Sequence, residues 1–138
     1  MDIEEAVQKL SLDNEEIMIV YLYGSFRDGY ATAKSDVDVA VVVDEKKLPT
    51  DRFTRERCYS DQIEAKVKGR QFDVRIMNPA PLSFKYQVIK NGLLLFSRNE
   101  TFREEFECQL ILEYLDFKPY LDQYDEQFLK RLAERATA

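Results

Sequence analysis

Gly24 and Ser25 are followed, after ten intervening residues, by Asp36-Val37-Asp38, and a further aspartate, Asp73, stands in the run Gln71-Phe72-Asp73-Val74-Arg75-Ile76-Met77. A glycine beside a serine lets the backbone approach a bulky anion, and the serine adds a hydroxyl donor. A helix starting there would turn its free N–H groups and positive dipole end towards phosphate. Aspartates two apart on a strand share a face, with Cα atoms roughly 6.5 Å apart. Carboxylates that close repel unless a cation neutralises them, and hard oxygen donors beside phosphate suit Mg²⁺. One or two Mg²⁺ ions are implied. Asp73 is the third acid needed if one ion activates an attacking hydroxyl while a second, about 3.5 to 4 Å away, holds a nucleoside triphosphate. Asp-x-Asp alone, or Gly-Ser alone, is as well read as a water-facing strand end or a turn; their combination at this spacing carries the reading. Arg75 could bind phosphate, but on a half-exposed strand it reads as a solvated or salt-bridged residue and stays outside the core site.

Periodicity supplies the elements that must hold these residues. Ile17 to Tyr23 (IMIVYLY) is apolar or aromatic throughout and suits a strand buried on both faces, which Gly24 breaks. The pattern predicts a helix over 2–10, a strand over 17–23, a short helix from Ser25, a strand over 37–43, a helix over 51–67, a strand over 71–77, a helix over 81–91 and a short strand from Leu93 to Phe96. In the third strand Phe72, Val74 and Ile76 form an apolar face, and Asp73 looks out on the other. Asn91-Gly92 reads as a helix stop, with glycine in the left-handed conformation. From Thr101 the pattern is helical again, and Pro119 is expected to end or kink that helix before a last one near Gln123 to Arg135. The fold class is therefore α/β, a small mixed sheet flanked by helices with a helical C-terminal segment. A single domain over 1–138 is expected, about 1–97 forming the sheet and its helices and about 98–138 the helical segment.

Composition narrows the chemistry. The 138 residues include 20 basic and 26 acidic side chains, a net charge of −6 that argues against broad binding to nucleic-acid phosphates. There is no histidine, which excludes Ser-His-Asp hydrolysis, histidine-dependent ribonuclease chemistry and imidazole zinc sites. Any acid or base acting here is thus expected to be a carboxylate. Cys58 and Cys108 lack metal-type spacing and suit a reducing cytoplasm. No apolar run approaches the roughly 20 residues of a membrane span, and the acidic start Met1-Asp2-Ile3-Glu4-Glu5 is unlike a signal peptide, so a cytoplasmic protein is expected.

Gly24-Ser25, ten residues, Asp36-x-Asp38 and a later strand aspartate, Asp73, resemble the DNA polymerase β-type nucleotidyltransferase superfamily. Within it the chain resembles the minimal nucleotidyltransferase (MNT) antitoxins. That likeness extends through Asn78-Pro79-Ala80-Pro81, Tyr86-Gln87-Val88-Ile89-Lys90-Asn91-Gly92, Leu95-Phe96 and Tyr114-Leu115-Asp116-Phe117-Lys118-Pro119-Tyr120-Leu121, most of the chain. The resemblance implies a polymerase β-like fold and a HEPN ribonuclease toxin as partner in a hetero-oligomer. It also implies transfer of AMP from ATP to a toxin tyrosine. By it, Gly24 and Ser25 grip phosphates, Asp36, Asp38 and Asp73 ligate magnesium, and Asp73 helps deprotonate the acceptor. The chain departs from many relatives at Arg27-Asp28-Gly29, where they carry a small residue and then a basic one. Asp28 leans towards a rival in which the protein blocks its toxin by binding alone; a second rival transfers a nucleotide to a small hydroxylated molecule such as an aminoglycoside. The aromatic side chains Tyr114, Phe117, Tyr120 and Tyr124 read either as core packing or as a docking surface.

Overall fold

The computed structural model describes residues 1–24 and 36–137. Strands β1 (Ile17–Tyr23), β2 (Val37–Val43), β3 (Phe72–Ile76) and β4 (Leu93–Ser97) form one sheet in the order β3-β2-β1-β4. β1 is antiparallel to both β2 and β4, whereas β2 and β3 are parallel. A parallel pair cannot be joined by a tight turn, and helix α2 (Arg52–Lys66) supplies the crossover. Helices α1 (Ile3–Asp13), α3 (Leu82–Asn91) and α4 (Glu100–Thr137) complete the layers. The α/β class, all four strands and the three helices before residue 92 agree with the patterning. The short helix expected from Ser25 lies outside the described residues.

Alternation along the strands divides the core between the two faces. Val20, Leu22, Val37, Val39, Val41, Val74 and Ile76 pack with Val7 and Leu10 of α1 and Tyr59 and Ile63 of α2. Ile19, Tyr21, Ala40 and Val42 pack on the other face with Met77, with Val88 of α3 and with the partly buried Phe102 and Phe106 of α4. Each fully buried valine, leucine or isoleucine among them contributes roughly 1.5–3 kcal/mol by leaving water, so β1 and β2, buried on both faces, are the most strongly held strands. Helix starts are fixed locally: Asp2 accepts from the Glu5 amide at 2.8 Å, and Asp51 from the Thr54 amide at 2.9 Å.

Three polar devices lock the layers. Glu16, 4% exposed, accepts from Arg55 Nη2 and from the Tyr59 hydroxyl, both at 2.7 Å, and so ties the start of β1 to α2. Arg98 at the end of β4 donates to the carbonyls of Ile17, at 2.7 Å, and of Ser11. β3 is an edge strand, yet its outward amides are occupied by side chains of α2. Phe72 N–H donates to Glu64 at 2.9 Å, Val74 N–H to Ser60 at 3.3 Å and Ile76 N–H to Glu56 at 2.7 Å. Glu56, Ser60 and Glu64 are spaced four apart and therefore line one face of the helix.

Two local expectations are corrected. Gly92 ends α3 not in the left-handed region but extended, at φ −76°. Glycine is required there because a Cβ would come within 2.3 Å of the Val88 carbonyl oxygen and 3.2 Å of the Leu22 carbonyl oxygen. The C-terminal segment is one helix of 38 residues, with Pro119 inside it rather than between two helices. Proline costs α4 the amide that would reach the Leu115 carbonyl. The neighbouring side chains are exposed, Tyr120 by 69%, so water can serve that carbonyl and the helix runs on.

The Glu16 cluster makes stability depend on acid. Burial pushes this carboxyl up, but the Tyr59 hydroxyl, its own backbone and Arg55 together outweigh that and leave it below its ordinary value. A carboxyl depressed in the folded state stabilises above its unfolded pKa, about 4.3, and the benefit is lost as pH falls through the folded value. Glu16→Ala also strands the Arg55 charge, so it is expected to cost roughly 3–5 kcal/mol at pH 7. Urea unfolding of both proteins should show the gap shrinking steadily below about pH 4.

Candidate active site

The register of the sheet brings the candidate carboxylates together. Tyr23 of β1 lies opposite Asp38 of β2, and Asp38 lies beside Asp73 of β3. Register partners share a face, so Tyr23, Asp38 and Asp73 form a row at one end of the sheet, on the side carrying α3 and α4. Arg75 is paired with Ala40 one step further along that face. Asp36 is exposed and stands one residue before β2 begins.

Gly24 closes the row. Its φ is +80°, a left-handed conformation that disfavours any side chain, and a Cβ there would sit 2.5 Å from Asp38 Oδ2. The conformation favours glycine, a methyl there would have to push the Asp38 carboxylate aside, and the backbone lies directly against that carboxylate. Ser25, like Arg27, Asp28 and Lys34, lies outside the described residues.

The row is electrostatically tense. Burial raises the Asp38 carboxyl above its ordinary value and the charge of Asp73 raises it further; Arg75 opposes this, and Asp36 adds to it. Tyr23 is pushed up to about 12, by burial first and then by Asp38. Arg75 Nε donates to Asp73 Oδ2 at 3.2 Å, and that carboxylate raises the guanidinium pKa. Sequence reasoning set Arg75 aside and gave Tyr23 no role beyond its strand. Tyr23 is recognisable as a site residue only from the β1–β2 pairing, which no local pattern encodes.

Among the described residues no three acidic or thiol side chains converge on one point as they stand. Asp38 and Asp73 nevertheless offer hard oxygen donors side by side, and their mutual repulsion is what a bound divalent cation would relieve. On the far side of Asp73 a cavity of about 430 Å³ is lined by Phe53, Arg57 and Arg75. Past Arg75, Pro79, Pro81 and Phe84 line another of about 350 Å³. The described helices include none long and apolar enough to cross a membrane.

A sheet with this strand order, carboxylates paired across β2 and β3 and a glycine turn against them is the layout of a nucleotidyltransferase domain. Residues 5–101 match the family described as Polymerase beta, Nucleotidyltransferase, and the chain belongs to that family. No curated protein sequence matches it. Among solved structures, a chain of a toxin–antitoxin crystal structure with AMP-PNP superposes with a TM-score of 0.75 at 20% identity, covering 93% of this chain and 99% of that one. A chain from the complex of a tri-AMPylated Shewanella oneidensis HEPN toxin with MNT antitoxin gives 0.69 at 19% identity, covering 91% and 95%. One from the toxin–antitoxin pair MntA-HepT gives 0.68 at 19% identity, covering 91% and 96%. At these identities the likeness is one of fold.

Two measurements probe the row. In a ¹³C NMR pH titration, Asp73→Asn should lower the Asp38 pKa and Arg75→Ala should raise it, since the first removes a like charge and the second an opposing cation. Gly24→Ala should cost roughly 1–2 kcal/mol from the backbone conformation alone, read by urea unfolding, and should shift the Asp38 carboxyl resonance as the new methyl displaces it.

Proposed function

We propose that this protein is an antitoxin adenylyltransferase that neutralises a cognate HEPN ribonuclease toxin by moving AMP from ATP to a toxin tyrosine. The observation that carries the reading is the placement of Asp38 beside Asp73, with the Gly24 backbone packed against Asp38. Support for the donor and partner comes from structures of the same fold, one holding AMP-PNP and another a tri-AMPylated HEPN toxin with MNT antitoxin.

In this reading Gly24 and Ser25 hold the β- and γ-phosphates, by close backbone approach and a hydroxyl donor. Asp36, Asp38 and Asp73 would hold Mg²⁺, which when bound neutralises triphosphate charge and makes a nearby hydroxyl more acidic. Arg75, bonded to Asp73 at 3.2 Å, positions that carboxylate. The tyrosine hydroxyl approaches from the Asp73 side, where the cavity of about 430 Å³ opens. Asp73 takes its proton, the phenolic oxygen bonds to the α-phosphorus and the bond from that phosphorus to the bridging oxygen breaks. Pyrophosphate leaves on the Gly24 side. A phenol of pKa near 10 needs such help at neutral pH.

A binding-only antitoxin is the second reading, favoured by the exposed apolar side chains of α4, among them Leu112, Leu115, Phe117 and Leu129. Tyr114, by contrast, is engaged within the chain, stacked on Tyr86 of α3 at 3.7 Å. The side chain of Tyr124 lies outside the description. Intact mass of a HEPN partner after incubation with this protein, ATP and Mg²⁺ separates the two. Whole adenylyl increments are expected with the native chain and none with Asp36→Ala/Asp38→Ala, which should keep its fold and its hold on the partner. A toxin inhibited but unmodified by the native chain selects the binding-only reading.

A further inference from the structure

We infer that the Tyr23 hydroxyl donates a hydrogen bond to the departing pyrophosphate, which deepens the proposed adenylyl transfer and rests on it. Tyr23 is the last residue of β1, it precedes the Gly24 turn, and its register partner is Asp38. Its side chain therefore stands on the face of the carboxylate row, at the end where the proposed reaction releases pyrophosphate. Asp38, Arg75 and Asp73 all lie close enough for their charges to act on the hydroxyl.

That hydroxyl has no structural task. The buried tyrosines of the core each use theirs on a glutamate: Tyr21 donates to Glu107 at 2.6 Å and Tyr59 to Glu16 at 2.7 Å. Tyr23 is half-buried, and among the described residues none is hydrogen-bonded to its hydroxyl. The ring, by contrast, is held: it meets Phe84 edge to face, with centroids 5.6 Å apart and planes at 88°, and packs on the cluster of Ile19, Tyr21 and Val88. A phenylalanine would keep these contacts. A fixed ring with an unengaged O–H is a donor set in place for a ligand.

Charge decides which ligand atom it serves. At neutral pH a phenol keeps its proton and offers one O–H, which bonds most strongly to a charged acceptor. As the acceptor oxygen bonds to the α-phosphorus, the electron pair of the breaking bond stays on the bridging oxygen. Negative charge therefore grows on the pyrophosphate at that atom. A hydrogen bond from Tyr23 is stronger there in the transition state than in bound ATP, so it speeds transfer more than it tightens ATP binding. Tyr23 gives up no proton in the step.

Single-turnover transfer of AMP to a HEPN partner in Mg²⁺ buffer tests this with the native chain and Tyr23→Phe. Two donors are compared, ATP and β,γ-methylene-ATP, whose departing bisphosphonate is the more basic. With ATP the variant should be slower by roughly 10- to 100-fold, the size of one hydrogen bond to a charged group. Its ATP affinity by calorimetry should change by less than about threefold. The slowing should be larger with the methylene analogue, since a more basic leaving oxygen relies more on a donor. An unchanged rate, or equal slowing with both donors, overturns the role of the hydroxyl while sparing the transfer reading. If the native chain moves no AMP from ATP, the transfer reading falls and this inference with it. In the native chain alone, Mg²⁺ and pyrophosphate should move the ¹³C resonance of the Tyr23 ring ζ-carbon and leave those of Tyr21 and Tyr59 still. A Tyr23 resonance that does not move overturns the contact, and this measurement decides even if the variant fails to fold.

Discussion

The pairing of β2 between an antiparallel and a parallel neighbour is the constraint on which the molecule rests. Side chains alternate every residue along a strand, so a slip of one position would send Val37, Val39 and Val41 to the wrong layer and turn Asp38 into the core. The burial of both faces forbids that slip. The apolar packing that stabilises the fold is therefore also what aligns Asp38 with Tyr23 on one side and Asp73 on the other. Geometry at the carboxylate row follows from valines further along β2.

Two of the polar devices lie at the opposite end of β1 from that row. Glu16, Arg55 and Tyr59 join α2 to the start of the strand, and Arg98 joins β4 to the same corner. A second buried group, Tyr21, donates to Glu107 at 2.6 Å and fixes α4 on the other face; burial and that carboxylate both push its pKa up. At the other end, where like charges crowd, the sheet is helped by the bonds from the Phe72 and Val74 amides to α2 on either side of Asp73. Carboxylates can be kept close only on a scaffold whose stability comes from elsewhere.

Much of this was legible in the sequence, for a physical reason. Strands such as Ile17–Tyr23 announce themselves because burial on both faces demands an unbroken apolar run, and β3 because one buried face demands alternation. Asp36, Asp38 and Asp73 stand out because carboxylates in or beside such strands have no packing reason to be there. What stayed hidden depends on long-range pairing. Tyr23 becomes part of the row only through its partner on β2, and Glu16 meets Tyr59 across 43 residues of chain. Gly92 was readable as a stop but not as a steric necessity, because its crowding comes partly from the Leu22 carbonyl on another strand. Pro119 misled because local propensity weighs the lost amide bond and not the solvent that replaces it.

The occupation of the β3 amides by Glu56, Ser60 and Glu64 reaches beyond stability. An open sheet margin is a template on which any extended peptide can align, and here its donors are already spoken for. A guest strand along that margin would first have to displace those three side chains. An approach to the carboxylate row across β3 therefore meets side-chain shape and charge rather than free main-chain donors.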